Sequence, residues 1–264
     1  MEKFFMNAAK MEQLVLELKD EIYTKLHHRT LLEYTGQPPV WEDQLFYLLL
    51  PKFNGEQWTE QHQVAAQSVS MIQTALSTHD LVEEHEAISK SQQLMVLAGD
   101  YYSGMYYASL AAIPNVKLVR DLSDAVAEIS ENKTSFYEPN KKDFVQWISQ
   151  FEAIVTKAIE QFMNHFQFTS YIDIMKKGML VSRLATELKK LQNGTSTIRF
   201  LRVLSENFST DEQTIDALQL ELRSRTVVLI EELRNETFLT EAVKEVLLGR
   251  IEAQLHAQQM TREG

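Results

Sequence analysis

Two segments concentrate the side chains that could do chemistry. In the first, Ser77-Thr78-His79-Asp80-Leu81-Val82-Glu83-Glu84-His85-Glu86, the carboxylates of Asp80, Glu83 and Glu84 recur at i, i+3 and i+4 and so share one face of a helix. Such a face can hold Mg²⁺ through one or two carboxylates together with substrate phosphates. The plainer reading is an acidic helix end facing solvent, the usual fate of such clusters. His79 and His85 are too far apart for the i, i+4 pair of a helical zinc site.

The second segment, Leu94-Met95-Val96-Leu97-Ala98-Gly99-Asp100-Tyr101-Tyr102-Ser103-Gly104-Met105-Tyr106-Tyr107, is apolar nearly all round. That pattern predicts a central, buried helix. Gly99 and Gly104 each cost about 1 kcal/mol relative to alanine in a helix interior, which points to close approach by another backbone or a ligand. Asp100 in such surroundings needs a buried partner, such as a tyrosine hydroxyl or an arginine. A packed core helix with one satisfied polar group accounts for the same residues equally well.

The elements that must position these segments are helical. Hydrophobic residues make up 44% of the 264, while 8 Gly and 5 Pro are too few to punctuate a many-stranded fold. Leu14, Leu18, Ile22 and Leu26 make one apolar stripe over 11–28, and Gly36-Gln37-Pro38-Pro39 breaks it. A short apolar helix follows over 41–50. Thr59 caps a long helix running to about 86, and further helices cover 91–113, a stretch through Leu118, Leu122, Val126 and Ile129 with Pro114 in its first turn, and 142–166 after an opening at Pro139. Patterns over 171–191, 196–205, 210–233 and 237–260 complete the chain, with Asn193-Gly194 as the clearest break. The expectation is an all-α, single-domain helical bundle spanning 1–264.

Charge and composition narrow the function classes. A net charge of -11 repels nucleic acid and anionic membrane surfaces. With 0 Cys there is no disulfide, thiolate nucleophile or cysteine-ligated metal. No apolar run approaches the ~20 residues that span a bilayer, and residues 1–10 lack a signal-peptide pattern, so the chain reads as soluble and cytoplasmic.

The pairing of Ala75-Leu76-Ser77-Thr78-His79-Asp80 with Val96-Leu97-Ala98-Gly99-Asp100-Tyr101-Tyr102-Ser103-Gly104-Met105-Tyr106-Tyr107 closely resembles the small subunit, component 1, of bacterial heptaprenyl diphosphate synthases. That subunit in turn resembles the catalytic trans-prenyltransferases, in which a helix ends in His-Asp-Asp-x-x-x-Asp and the next carries Gly-Asp-Tyr. Here His79-Asp80 matches the first two positions, Leu81 stands at the second Asp, and Glu84 falls near the last. A second acidic motif is missing: in Asp211-Glu212 with Asp216, and in Glu231-Glu232 with Glu236, the third acid comes one position late. Asp211 and Glu212 instead suit the first turn after a Thr210 cap. The family's basic Gly-Gly-Lys-Arg segment is replaced by Tyr34-Thr35-Gly36-Gln37-Pro38-Pro39, which has no cation.

Loss of an allylic diphosphate needs Mg²⁺ held between two acidic motifs. The resemblance therefore implies a non-catalytic chain that binds no metal or cofactor, paired with a catalytic large subunit that carries the Mg²⁺ and condenses isopentenyl diphosphate onto farnesyl diphosphate. The heptaprenyl product would supply the menaquinone side chain. On this reading Met71, Ile72, Ala75, Leu76, His79 and Asp80, with Gly99, Asp100, Tyr101, Tyr102, Gly104 and Tyr106, form a subunit interface or the wall of a tunnel for the growing polyprenyl chain. Two alternatives stay open: an autonomous enzyme using Asp80, Glu83 and Glu84, and a helical scaffold unconnected with isoprenoids.

Overall fold

The computed structural model describes residues 6–82, 89–137, 143–194, 204, 208 and 210–260, with side chains as far as 254. Among them are eleven α-helices: α1 (Ala8–Lys25), α2 (Arg29–Thr35), α3 (Glu42–Leu48), α4 (Leu50–Phe53), α5 (Glu60–His79), α6 (Lys90–Ala111), α7 (Val116–Thr134), α8 (Phe144–His165), α9 (Ile172–Gln192), α10 (Asp211–Asn235) and α11 (Glu241–Met260). The all-helical expectation holds for these residues.

The first stripe is real but shifted. Met11, Val15, Leu18, Ile22 and Leu26 are buried, while Leu14 is only partly covered. The chain then turns earlier than expected: α1 stops at Lys25, α2 follows, and Gly36 caps it at a φ of 74°, a left-handed conformation that glycine takes at no steric cost.

The middle of the bundle belongs to α3, α4 and α5. Leu45, Phe46, Tyr47, Leu48, Leu49, Leu50 and Phe53 are all buried, and from Ala65 to Ala75 no residue of α5 reaches solvent appreciably. That stretch contains Gln67, Ser68, Ser70, Gln73 and Thr74, which the desolvation of polar groups would normally exclude from a core. The hydroxyls solve this locally. Ser68 Oγ donates to the Val64 carbonyl at 2.9 Å, Ser70 to Ala66 at 3.0 Å, Thr74 to Ser70 at 2.9 Å and Thr78 to Thr74 at 2.7 Å. Gln67 reaches Glu21 on α1 and Gln73 reaches the Ile154 carbonyl on α8. Around α5 pack α1, α3, α6 and α8.

The entry to α5 is a capping box. Thr59 Oγ1 accepts the His62 N–H, and His62 Nδ1 accepts the Thr59 N–H at 2.9 Å. Pro114 precedes the helix instead of opening it. Asn115 takes the N-cap of α7, and the buried stripe there is Leu118, Leu122, Ala125 and Ile129. Pro139 and most of 196–205 lie outside the described residues; α8 is capped by Asp143.

Gly178 on α9 is required by packing, since a Cβ there would collide with the Tyr47 phenol from α3. Asn54, after α4, ties three segments together. Its amide donates to Tyr171 Oη at 2.8 Å and to the Phe238 carbonyl at 3.1 Å, and its Oδ1 accepts the Thr240 N–H at 2.6 Å.

Candidate functional site

The acidic segment begins where α5 ends. The helix stops at His79, short of the expected 86, with Asp80 as its C-cap residue. A carboxylate is unfavourable at this negative end of the helix dipole, and Lys133 from α7 offsets it. Its Nζ donates to both Asp80 oxygens at 2.8 and 2.7 Å and to the Leu76 carbonyl at 2.9 Å. One ammonium therefore neutralises the carboxylate and satisfies an end carbonyl of the helix.

This arrangement does not fit a magnesium diphosphate. The oxygens of Asp80 are committed to Lys133, and the next residue, Leu81, offers no ligand. Glu83 and Glu84 lie outside the described residues. Among the described residues no group of three His, Asp or Glu side chains is placed to hold a metal ion.

Gly99 on α6 faces the end of α5. A Cβ at Gly99 would lie 2.5 Å from His79 Cε1 and Nε2, so the glycine makes room for the imidazole. The close approach inferred from sequence is thus by a side chain. The ring's Nε2 comes 3.6 Å from Asp100 Oδ1. Asp100 is not buried: its side chain is 66% exposed, so solvent supplies what the sequence reading asked of an arginine or a tyrosine.

The same correction applies to the whole helix. Ala98, Gly99, Tyr102, Tyr106, Ser109 and Leu110 face inward, but Gln93, Val96, Leu97, Asp100, Gly104, Tyr107, Ala108 and Ala111 face outward. At 3.6 residues per turn these eight fall on one stripe. Val96 is 40%, Leu97 55% and Tyr107 48% exposed, and nothing lies within 4 Å of where a Gly104 Cβ would be. The segment taken as the centre of the molecule is therefore an outer helix with an apolar outer face.

The other residues singled out from sequence divide between the two sides. Met71, Ile72 and Ala75 are buried on α5, and Leu76 is half-buried against the core. Tyr102 and Tyr106 point inward, and burial raises both phenol pKa values above the ordinary tyrosine range. Tyr101 is half-buried with its ring 5.3 Å from His28. At the other candidate acids, Thr210 caps α10 through the Gln213 N–H at 3.2 Å, with Asp211 and Glu212 in the first turn.

Sequence reasoning missed two charged features. Lys133 has no local signal, because its partner lies on a different helix. Arg183 on α9 is largely covered, stacked 3.9 Å over the Trp41 ring and bonded to Glu187 at 3.2 Å. Glu187 also accepts from Lys190 at 3.0 Å. Burial holds the Arg183 pKa below its usual value despite Glu187, Asp80 and Asp43. The i, i+4 spacing of Arg183 and Glu187 within an apolar run was a legible sign of this pair.

Comparison with known proteins adds relatives at two levels. The sequence model of the family described as heptaprenyl diphosphate synthase subunit 1 matches residues 28–235. A curated relative from Geobacillus stearothermophilus, heptaprenyl diphosphate synthase component 1, is 42% identical over 71 residues, which is 27% of this chain and 32% of that protein. The match thus spans about a third of the relative's length. Crystal structures with a similar fold include a geranylgeranyl pyrophosphate synthase from Lactobacillus brevis (TM-score 0.67, 12% identity, 94% of this chain and 97% of that one). A heptaprenyl diphosphate synthase from Staphylococcus aureus gives 0.66 at 10% identity over 92% and 97%. A decaprenyl diphosphate synthase from Rhodobacter capsulatus gives 0.63 at 15% identity over 93% and 95%. At these identities the likeness establishes the fold alone.

Proposed function

Because the chain belongs to the heptaprenyl diphosphate synthase subunit 1 family, we propose that it is the non-catalytic subunit of a two-component prenyl diphosphate synthase, one helical domain that works only beside a larger catalytic chain. That partner binds farnesyl and isopentenyl diphosphates with Mg²⁺ and makes the carbon–carbon bonds. The product is a heptaprenyl diphosphate destined for the menaquinone side chain, made in the cytoplasm. Among the described residues no helix is long and apolar enough to cross a membrane, which fits a soluble assembly.

The observation that carries the reading is the state of Asp80. In a trans-prenyltransferase the acid at this place must face a metal-bound diphosphate, and here Lys133 holds it against α7. A cation already bonded to the carboxylate removes the charge that Mg²⁺ would need. The residues kept from the ancestral arrangement then serve architecture.

The outer stripe of α6 is the face on which the partner docks. Exposed Val96, Leu97 and Tyr107 at helical spacing leave apolar area that association would remove from water, at roughly 25 cal/mol per Å². Gly104 and Ala108 let a partner helix come close. Met71, Ile72, Ala75 and Leu76 lie on the inner side, where they could line a path for the polyprenyl tail but not touch the partner. Mixing the chain with the large subunit and following incorporation of labelled isopentenyl diphosphate tests the reading. Activity appears in the mixture and in neither component alone; activity unaffected by this chain removes the assignment.

A further inference from the structure

The junction between α6 and α7 holds a hydrogen-bond arrangement whose polarity is fixed at every atom. Asn115 caps α7, its Oδ1 accepting the Leu118 N–H at 3.0 Å. That leaves its Nδ2, a pure donor, 3.0 Å from Nε2 of His165, the last residue of α8. An amide NH₂ bonds a ring nitrogen only when that nitrogen carries no proton. Nε2 therefore accepts, and the ring proton sits on Nδ1, which lies 2.7 Å from Asp121 Oδ2.

The surroundings hold the ring in place. The His165 side chain is 8% exposed and meets the Phe166 ring edge-on at 4.8 Å. The charged groups facing it are Asp121 and, through the same carboxylate oxygen, Lys117 at 2.8 Å, both on α7. Burial pushes the Asp121 carboxyl up, but the bonds from Lys117 and His165 outweigh it and keep Asp121 ionised as an acceptor. In the neutral ring both nitrogens are satisfied.

We propose that His165 is a proton-operated clasp on the α7 cap: protonation at Nε2 turns the Asn115 amide over, and that turn withdraws Oδ1 from the Leu118 N–H. A protonated Nε2 confronts the NH₂ donor to donor, and the nearest acceptor it can recruit is Oδ1 of the same amide. The oxygen cannot serve Leu118 and His165 together. The Nδ1–H bond to Asp121 survives protonation and becomes a salt bridge, so the ring stays and the cap yields. The start of α7 frays, and the chain entering it from Ala112 to Pro114 loses its anchor. The last outward turn of α6, with Tyr107, Ala108 and Ala111, directly precedes this junction. Only that onward effect on the partner-facing helix rests on the proposed function.

The test uses the full chain in solution, with ring ¹⁵N signals to follow His165 and amide exchange to follow Leu118. While it is neutral the ring is the Nδ1–H tautomer. As the pH is lowered until the ¹⁵N signals report a protonated ring, the Leu118 protection factor falls about fivefold, the loss expected for an N-cap. In Asn115→Asp one carboxylate oxygen caps while the other accepts from the charged ring, so Leu118 stays protected throughout. In His165→Gln protection does not depend on pH. An Nε2–H tautomer in the neutral ring, or unchanged Leu118 protection while the wild-type ring protonates, overturns the clasp. So does an equal loss of protection in Asn115→Asp.

Discussion

Replacing Gly104 by leucine separates the stability of this chain from its capacity to assemble. Gly104 lies inside α6 on the outward stripe, and nothing lies within 4 Å of the position a Cβ would take. In the isolated chain the side chain enters open solvent, and leucine is the better helix former by about 0.8 kcal/mol. For a chain of this length that corresponds to a rise in Tm of roughly 1–2 °C. Against a docked helix the same side chain must be accommodated in a close contact, at about 1–3 kcal/mol, which weakens association by roughly 5- to 150-fold. Thermal unfolding of the isolated variant and titration of the catalytic subunit against isopentenyl incorporation read the two effects. Gly249→Leu on α11, where a Cβ also meets nothing within 4 Å, is the control and leaves association unchanged. If Gly104→Leu associates within twofold of the parent chain, the outer stripe of α6 is not the docking face.

The Asp80–Lys133 pair makes a second prediction: with side chains 36% and 22% exposed, its loss in Asp80→Asn costs the chain at most about 1 kcal/mol, and kcat of the reconstituted synthase stays within about threefold. A loss of a hundredfold or more would mark Asp80 as a reacting-site ligand. His62 gives a pH dependence. Burial beside Trp58, Phe166 and Phe168 lowers its pKa, so the folded ring resists a proton that the unfolded ring accepts. Its contribution to stability is therefore complete above about pH 6.5 and is lost as the pH falls below it. His62→Gln, which keeps an acceptor for the Thr59 N–H, flattens that decline in urea midpoints measured across the range; an unchanged decline refutes the assignment. Asn54→Ala removes the bonds to Tyr171, Phe238 and Thr240 and lowers stability by about 2 kcal/mol, seen as a lower denaturant midpoint at constant slope.

Two helices show how far the sequence could be read. In α6 the run of Val, Leu, Met and Tyr was apolar around its whole circumference, and burial is the ordinary outcome for such a helix. The chain alone leaves half of it uncovered, because apolar composition all round does not say which face the chain's own core will cover. In α5 polar residues, not apolar ones, hide the outcome. Ser68, Ser70, Thr74 and Thr78 look like a polar face, yet each hydroxyl bonds to the carbonyl four residues earlier, so the helix is self-satisfied and can occupy the centre. Caps were legible, as Thr59 and Thr210 illustrate, because their signals lie within three residues. Lys133 was not, since its pairing with Asp80 joins residues 53 apart in sequence that only the tertiary fold brings together.

The central claim is that the acid inherited at Asp80 is spent on Lys133 and that the chain has no prenyl-transfer chemistry of its own. The most direct measurement is a single-turnover experiment with the purified chain in large excess over labelled isopentenyl diphosphate, with farnesyl diphosphate and Mg²⁺ present. No elongated product forms at any time. Labelled polyprenyl diphosphate formed in proportion to the amount of this chain would contradict it.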